Sequence, residues 1–494
     1  MMTSEKTALE ELSVAQPLPA FWQAAVCFTG ILLLIALGLF VFEISLHALI
    51  FLALVWAGVH TRILGYSFIA IRGMMNEGIV RALPAIYIFM LIGMVIASFM
   101  QSGTIASLLY FGLDWLDPTL FLAAGFVLCS LMSVATGTSW GTAGTIGVVL
   151  IGISDAMGIP LPLTAGMIVS GATFGDKLSP ISDTTNLAAM SADTNLYRHI
   201  GSMLYTTIPT FVIVLSIFTV WGWQYGDHHL PQAHLAEIRS ALADSFRMNG
   251  MVTLLPLLVM LGMSIKRYSA EVSMTCSTLL ALLIAVVYQG RNGIDVINAL
   301  WLNTPGDTGI ASIDELLGRG GLYSMAWTLL LSIMALALGG ILHHAGFLQV
   351  LLVRLIAPIR RASTLIAATI ASGLAGNLVM GEAYISIILS CQLFKKVYQE
   401  KNLDLAVLSR SVEEGSTLTT GLIPWTTAGV FYTATLGVST LDYASYALLN
   451  LLNPLISIGM AVLGVGLLRS RHYQKTTRKY GKRTGRPKIG RIDE

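Results

Sequence analysis

The chain has 494 residues, of which 55% are hydrophobic and only 11% charged, whereas soluble proteins carry about a quarter charged residues. This composition and the small net charge of +2 exclude a set of ordinary soluble domains. Apolar runs of about 20 residues, the length that crosses a bilayer core, recur from residue 21 to residue 468. The lipid bilayer is therefore the predicted main partner of the chain.

Continuous spans are readable along the whole chain, and the acidic, polar N-terminus lacks the basic region and cleavage site of a signal peptide, so the first span is predicted to be retained. The predicted spans lie at about 21–42, 46–64, 83–101, 203–222, 251–265, 272–289, 322–342 and 444–468. Four further apolar stretches are interrupted by Gly, Pro, Ser and Thr clusters that unwind helices. They are 117–158, 161–196, 362–397 and 403–437.

The two halves share three landmarks at an offset of about 242 residues. Gly103 falls opposite Gly346, the break at 138–141 falls near 380–383, and Thr184-Thr185 fall opposite Thr426-Thr427. The basic residues between spans share one side if the N-terminus is cytoplasmic and both broken hairpins are re-entrant, which gives about five crossings per half. An odd number of crossings inverts the second half, as in many secondary transporters.

The predicted fold is an all-α integral membrane protein with two inverted-topology repeats of about five transmembrane helices each, with re-entrant hairpins, broken helices and both termini cytoplasmic. The predicted parts are a cytoplasmic N-terminal tail 1–20, a first transmembrane repeat 21–223, an extracytoplasmic linker 224–250, a second repeat 251–468 and a basic cytoplasmic tail 469–494. The basic tail holds ten Lys and Arg against two acids. This favours an anchor on anionic lipid over an arm that binds nucleic acid.

Unwound backbone at membrane depth needs protein or a water-filled cavity around it, so the four interruptions are expected to meet near the midplane. Their carboxylates, hydroxyls, amides and freed carbonyls are hard oxygen ligands that suit alkali cations. The candidates for binding a cation or a proton are Asp176, Asp183, Thr184, Asn186, Ser179, Thr138, Ser139, Asn377, Glu382, Glu414, Thr426 and Thr427. The predicted helix-breaking residues are Gly175, Pro180, Gly421 and Pro424.

Asp176 and Asp183 are the favoured carboxylates, because a desolvated carboxylate that accepts either Na⁺ or H⁺ exchanges the two by competition. Lys177 is predicted to pair with one of them when no cation is bound, since a buried ammonium needs a partner. The alternative is that Asp176, Lys177 and Glu413 are helix caps or interfacial ions.

No cofactor and no resident metal are predicted. The pairs His228-His229 and His343-His344 lack a carboxylate nearby in sequence, and no phosphate-binding loop, GxSxG or HExxH motif occurs. The absence of a phosphate-binding loop argues against an ATP-driven pump. The chain is also predicted not to be an enzyme. Trp140 and Trp425 are interpreted as packing residues beside the breaks rather than as ligands.

The run SGATFGDKLSPISDTTNLAAMSADTNLYRHIGSMLYTTIP resembles the signature region of the NhaC family of sodium/proton antiporters. The runs AGNLVMGEAYISIIL and LSRSVEEGSTLTTGLIPWTTAG are similar to two further motifs of this family, and the resemblance covers about residues 20–468. One departure is Thr427, which stands where relatives often carry Asn. The resemblance implies Na⁺/H⁺ exchange and importance for Gly175, Asp176, Ser179, Pro180, Asp183, Thr184, Thr185, Asn186, Asn377, Glu382, Glu414, Pro424 and Trp425.

The predicted function is a Na⁺/H⁺ antiporter of the cytoplasmic membrane that works by alternating access, with Li⁺ and K⁺ as alternative ions. The same family resemblance covers exchangers of malate/lactate type, so a Na⁺- or H⁺-coupled carrier of small organic anions or amino acids is the alternative, with Lys177 as its cationic group. A channel or a membrane-embedded enzyme is the third class, which the matched breaks disfavour. A homodimer is compatible with the sequence, although no residue indicates one.

Overall fold

The computed structural model describes residues 18–469, except for 82, 116, 226–231, 267, 305, 307, 309, 311–313, 315, 316 and 357–360. Most of the predicted N-terminal tail, the basic tail beyond Arg469 and the pair His228-His229 therefore lie outside the described residues. Within the described ranges the chain is all-helical, and its one isolated β-bridge joins Leu403 to Arg469.

The described residues from 21 to 344 form seventeen helices and one π-helical turn. In order they are α1 Phe21–Phe40, α2 Leu46–Ile63, α3 Phe68–Arg81, α4 Leu83–Gln101, α5 Thr104–Trp115, α6 Pro118–Thr136, α7 Ser139–Thr142, a π-helical turn Ala143–Gly147, α8 Val148–Ala156, α9 Leu161–Leu178, α10 Asp183–Ser191, α11 Leu196–Trp223, α12 Gln232–Ser245, α13 Gly250–Thr253, α14 Leu255–Ile265, α15 Ala270–Val287, α16 Gly293–Ala299 and α17 Leu322–His344.

The remaining helices are shorter on average, and several of them end inside the molecule. They are α18 Phe347–Ile356, α19 Ala362–Met380, α20 Ala383–Glu400, α21 Leu405–Gly415, α22 Thr417–Thr420, α23 Thr427–Leu436, α24 Thr440–Tyr443 with a 3₁₀ turn Ala444–Tyr446, and α25 Leu448–Val462.

The chain divides into two compact units. One contains residues 1–82 and 333–358, and in its described part α1 packs against α2 and α18. The larger unit contains residues 83–332 and 359–494. All the interrupted stretches that the sequence singles out belong to the larger unit, which therefore contains the candidate site.

Six described helices are long and apolar enough to cross a membrane alone, namely α1, α2, α6, α11, α17 and α19. Three bent pairs pass the same test, with bends of 67° between α4 and α5, 71° after α12 and 52° before α25. By length and composition, the described residues therefore contain up to nine candidate spans. The chain is a multi-pass membrane protein, as its composition predicts. Most of the predicted spans coincide with these helices.

The stretch 224–250, predicted as a polar linker, contains the helix α12. Ile238, Leu242 and Phe246 recur every four residues and are buried, and α12 packs against α5. This apolar stripe has the helical period. The linker prediction overlooked the stripe because the segment as a whole is polar.

Two helices of the larger unit break in the same way. α6 ends at Gly137 with φ +71°, α19 ends at Gly381 with φ +65°, and in both cases the next residue has extended backbone and caps the N-terminus of another helix. Ser182 and Thr426 then cap α10 and α23 by accepting a backbone N–H at the hydroxyl. Both pairs of positions are 244 residues apart, close to the offset predicted from the sequence landmarks.

We expect Gly137→Ala to destabilise the fold for two reasons. A left-handed backbone costs a residue with a Cβ about 1–2 kcal/mol, and a Cβ here would lie 2.5 Å from Ile181 Cγ1. Gly158→Ala is the matched control, because Gly158 has φ +66° but no heavy atom within 4 Å of the added Cβ. In SDS titrations of the purified protein, Gly137→Ala should lose more unfolding free energy than Gly158→Ala. Equal losses would show that the contact with Ile181 is unimportant.

Candidate cation-binding site

A cavity of about 60 Å³ lies among the helix breaks of the larger unit. Since one water needs about 10–15 Å³ on this measure, the cavity accommodates a few waters or a partly hydrated cation. Its lining is rich in oxygen atoms. The polar side chains of the lining are Thr138, Ser139, Thr173, Asp176, Asp183, Thr184, Glu382, Tyr384, Thr417, Thr420, Thr427 and Tyr432.

Asp176 is the deepest carboxylate of the first broken hairpin. It lies in the last turn of α9 with 5% of its surface exposed, and its Oδ2 accepts a hydrogen bond of 2.9 Å from the Ser139 hydroxyl. Its Oδ1 is buried and has no hydrogen-bond partner among the described residues, and the same holds for Oγ1 of Thr417 and Thr420. Buried polar atoms in proteins are normally paired. These three oxygens are therefore the candidates in the lining for contact with a water or a cation.

Glu382 is the carboxylate that the second half contributes to the cavity, and it is also buried. It caps α20, with Oε1 accepting from the backbone N–H of Tyr384 at 3.1 Å and Oε2 accepting from the Thr427 hydroxyl at 3.0 Å. A helix N-terminus is a favourable place for a negative group. Both oxygens of Glu382 are thus already occupied, in contrast to those of Asp176.

Asp183 lines the same cavity but is exposed, so it lies at the mouth of the cavity. Its Oδ1 accepts from the backbone N–H of Thr184 at 2.8 Å, and its Oδ2 accepts from the Tyr384 hydroxyl. The second bond links the first broken hairpin to α20. Asp176 and Asp183, the two favoured carboxylates, therefore share one cavity but occupy different depths.

Seven of the twelve predicted ligands line the cavity and five do not. The five outside it are Ser179, Asn186, Asn377, Thr426 and Glu414. The side chains of the first four donate to backbone carbonyl groups at loops and helix ends. Their polarity therefore stabilises the unwound backbone, and the structure corrects their interpretation as cavity ligands.

Lys177 points away from the cavity, which corrects the predicted pairing with Asp176 or Asp183. Its ammonium is 3.8 Å from Glu414 Oε1 and 3.3 Å from Asn453 Oδ1. Consecutive helical residues point about 100° apart, so Lys177 faces α21 when Asp176 faces the cavity. Glu414 also accepts from the Thr206 hydroxyl at 2.6 Å. Lys177 and Glu414 form a separate ion pair that is fully buried.

Gly175 is also corrected, because it lies inside α9 rather than at a break. A Cβ at this position would be 2.5 Å from the Ser130 carbonyl oxygen, so the glycine allows α6 and α9 to pack closely. Pro180, Gly421 and Pro424 do lie in the loops that follow α9 and α22.

The two tryptophans beside the breaks have packing contacts. The Trp140 ring, although part of the cavity lining, stacks on Phe431 with 4.8 Å between ring centroids. The Trp425 indole donates to the backbone carbonyl of Leu378 at 3.0 Å. Both contacts agree with the interpretation of Trp140 and Trp425 as packing residues.

Sequence reasoning missed two histidine contacts. His199 Nε2 is 2.9 Å from Glu413 Oε2, with both side chains fully buried. His344 Nε2 is 3.0 Å from Glu77 Oε2 in the smaller unit, although no carboxylate is near it in sequence. Neither contact could be read from spacing, since each joins residues far apart in the chain. Among the described residues, no group of His, Cys, Asp and Glu is arranged to hold a metal ion.

Comparison with known proteins matches the sequence of this chain to transporters. A profile of the Na⁺/H⁺ antiporter family matches residues 2–185 and 171–465. The chain is 35% identical to the Na(+)/H(+) antiporter NhaC of Alkalihalophilus pseudofirmus over 90% of this chain and 97% of that protein. It is 35% identical to a malate-2H(+)/Na(+)-lactate antiporter of Bacillus subtilis, over 81% and 84% of the two chains. It is 33% identical to the arginine/ornithine antiporter ArcD of Halobacterium salinarum, over 90% and 92%.

Proposed function

Because the chain belongs to the Na⁺/H⁺ antiporter family, we propose that it exchanges Na⁺ for H⁺ by alternating access and binds the cation in the cavity at Asp176. The observation that carries this proposal is that Asp176, Thr417 and Thr420 each bring to one cavity an oxygen with no hydrogen-bond partner among the described residues. A carboxylate oxygen with two hydroxyl oxygens is a donor set for a small hard cation.

The two halves contribute corresponding positions to this cavity. Asp176 and Thr420 are 244 residues apart, as are Thr173 and Thr417, and this is also the interval between the two helix-ending glycines. We propose that an inverted repeat underlies this match and that the cation lies where the halves meet. In transporters of this plan, substrate sites lie at the repeat interface near the midplane.

In this proposal Na⁺ is exchanged for H⁺ because the two ions compete for the carboxylate of Asp176. Asp176 binds either a proton or Na⁺, with Ser139 holding its second oxygen in place. Since Glu382 is already held by Thr427 and the start of α20, its proposed role is to set the charge of the cavity. Asp183 at the mouth is proposed to capture the incoming cation and pass it inward.

An organic-anion carrier is the second candidate, and one observation favours it. The N-termini of α20 and α23 border the cavity through Glu382 and Thr427, and helix N-termini attract anions. Against it, none of the described lining residues is Lys, Arg or His, and Lys177 faces Glu414 instead. The cavity of about 60 Å³ also holds only a few waters in this conformation. We therefore favour cation exchange alone.

The site is proposed to work in a cytoplasmic membrane with both termini inside, which the distribution of basic residues between the spans supports. Li⁺ and K⁺ suit the same hard oxygen ligands.

Proteoliposomes with a fluorescent ΔpH probe distinguish the two candidates. We expect NaCl to induce proton movement with no organic anion present, and choline chloride to induce none. If movement starts only after malate, lactate, arginine or ornithine is added, the organic-substrate candidate replaces simple exchange.

A further inference from the structure

Asn450 and Asn453 place two amides in the otherwise apolar helix α25, one helical turn apart. Both side chains are fully buried, and α25 packs against α9 and α22, the helices that carry Asp176, Thr417 and Thr420. Amide side chains inside a membrane protein form hydrogen bonds across helices. Neither asparagine lines the cavity, so the partners of each amide show what it stabilises.

The Asn450 amide supports the backbone of α22. Its Nδ2 donates to the carbonyl of Leu418 at 2.9 Å. This carbonyl lacks its helical partner, because α22 ends at Thr420 and the N–H of Leu422 bonds one residue further on. Since a carbonyl oxygen only accepts, it also fixes which end of the amide faces it. Asn450 thus holds a backbone group that lies between the two threonines of the cavity, Thr417 and Thr420.

The other end of the Asn450 amide faces α9. Its Oδ1 is 3.1 Å from Oγ1 of Thr173, which also lies 2.7 Å from the carbonyl of Val169. Thr173 lines the cavity and precedes Asp176 by three residues in the same helix. Residues three apart lie on one helix face. Asn450 therefore spans from the helix that carries the carboxylate to the backbone that carries the two hydroxyls.

A second asparagine holds the beginning of the same stretch, residues 416–420. Asn377 on α19 donates Nδ2 to the carbonyl of Ser416 at 2.6 Å and to Oγ1 of Thr419 at 2.9 Å. In contrast, Oγ1 of Thr417 and Oγ1 of Thr420 have no hydrogen-bond partner among the described residues. Amides from two helices thus fix the backbone of the stretch, while the hydroxyls that it brings to the cavity are left for a ligand.

The distances between fixed oxygens decide which cation a site prefers. Alkali cations differ in radius rather than in charge, so hard oxygen ligands distinguish them by cavity size, ligand number and rigidity. Asp176 is on α9, Thr417 and Thr420 are on α22, and Asn450 contacts both helices. Without this amide the hydroxyls are freer to move relative to Asp176, and the site can adapt its size to each ion.

We propose that Asn450 is a positioning residue of the cation site, which fixes the separation of Asp176 from the hydroxyls of Thr417 and Thr420 and so sets the preference among Li⁺, Na⁺ and K⁺. This inference rests on the proposed Na⁺/H⁺ exchange and deepens it, because it assigns ion selectivity to a residue outside the cavity lining. Asn450 acts on the ratio of the ion affinities rather than on one affinity alone.

Competition binding measures this preference. Purified full-length protein is equilibrated with ²²Na⁺ at one alkaline pH, and LiCl, NaCl or KCl displaces the label. Asn450→Leu keeps a side chain of similar size but removes the hydrogen bonds. The ratio of the strongest to the weakest of the three affinities should fall about fivefold, the factor that one net hydrogen bond supplies. Asn453→Leu is the matched control and should keep the wild-type ratio, because Asn453 is equally buried but contacts Lys177 and Glu414 instead.

The affinity ratio separates positioning from stability, because partial unfolding removes sites for all three ions equally. A wild-type ratio in Asn450→Leu, an equal fall in Asn453→Leu, or a wild type that binds the three ions equally would overturn the inference. A wild type that binds no Na⁺ would instead overturn the proposed exchange, and the inference with it. If Asn450→Leu does not fold, Asn450→Ser replaces it with the same expected fall, since serine is smaller, polar and carries no amide.

Discussion

Asp176→Asn is expected to abolish Na⁺-induced proton movement in proteoliposomes. The substitution keeps the size of the side chain and a hydrogen-bond acceptor for Ser139, but it removes the charge that offsets the cation. Losing one partner of a buried ionic contact costs about 3–5 kcal/mol, which corresponds to a Na⁺ affinity lower by roughly 100-fold or more. Rates of ΔpH formation over a range of NaCl concentrations measure this loss.

Substitutions of two other aspartates serve as comparisons for the transport loss expected of Asp176→Asn. Asp183→Asn, at the exposed mouth, should mainly raise the NaCl concentration for half-maximal rate, because capture is weakened while the deep site remains. Asp193→Asn is the surface control, since Asp193 is 77% exposed and pairs only with Lys395 among the contacts described. If Asp176→Asn transports like Asp193→Asn, Asp176 is not the carrier of the cation.

Lys177→Met is expected to cause the largest loss of stability. Lys177 and Glu414 are both fully buried, and removing the ammonium leaves a carboxylate whose Oε2 already has no hydrogen-bond partner among the described residues. Arg410 Nε, 4.0 Å from Glu414 Oε1, remains as a second cationic partner, so we expect the loss to lie at the lower end of the about 3–5 kcal/mol that breaking a buried ion pair costs. SDS titration of the purified variant should show this decrease in unfolding free energy. Lys395→Met, which breaks the surface pair with Asp193, should lose less than about 1 kcal/mol.

A double substitution tests whether the loss comes from the ion pair itself. Lys177→Met combined with Glu414→Gln removes both charges, so it should be more stable than the sum of the two single losses predicts. A coupling energy above about 1 kcal/mol is expected for residues in one buried network. Strictly additive losses would mean that Lys177 stabilises the fold by packing alone.

The sequence predicted which residues lie together in the cavity better than it predicted which side chains pair with one another. Gly, Pro, Ser and Thr clusters within apolar runs indicated where helices end, because these residues leave the helix at Gly137 and before Pro180. Since unwound segments must meet in a cavity, the prediction that Asp176, Asp183 and Glu382 lie together followed, and the structure has all three in one lining.

The pairings could not be predicted, because each depends on which face of a helix a residue occupies and on a partner far away in sequence. Lys177 pairs with Glu414, 237 positions later, rather than with its sequence neighbour. One signal was present but unused. Asn450 and Asn453 interrupt the apolar run of α25, and polar residues in such a helix are expected to serve buried partners. Asn453 indeed contacts both Lys177 and Glu414.

Equilibrium binding of ²²Na⁺ to purified wild type, Asp176→Asn and Asp183→Asn at one alkaline pH tests the central claim most directly. We predict that wild type and Asp183→Asn both bind Na⁺, and that Asp183→Asn binds it more weakly. We predict that Asp176→Asn shows no Na⁺ binding for which protons compete. Undiminished Na⁺ binding by a folded Asp176→Asn variant would contradict the assignment of the cation to this cavity.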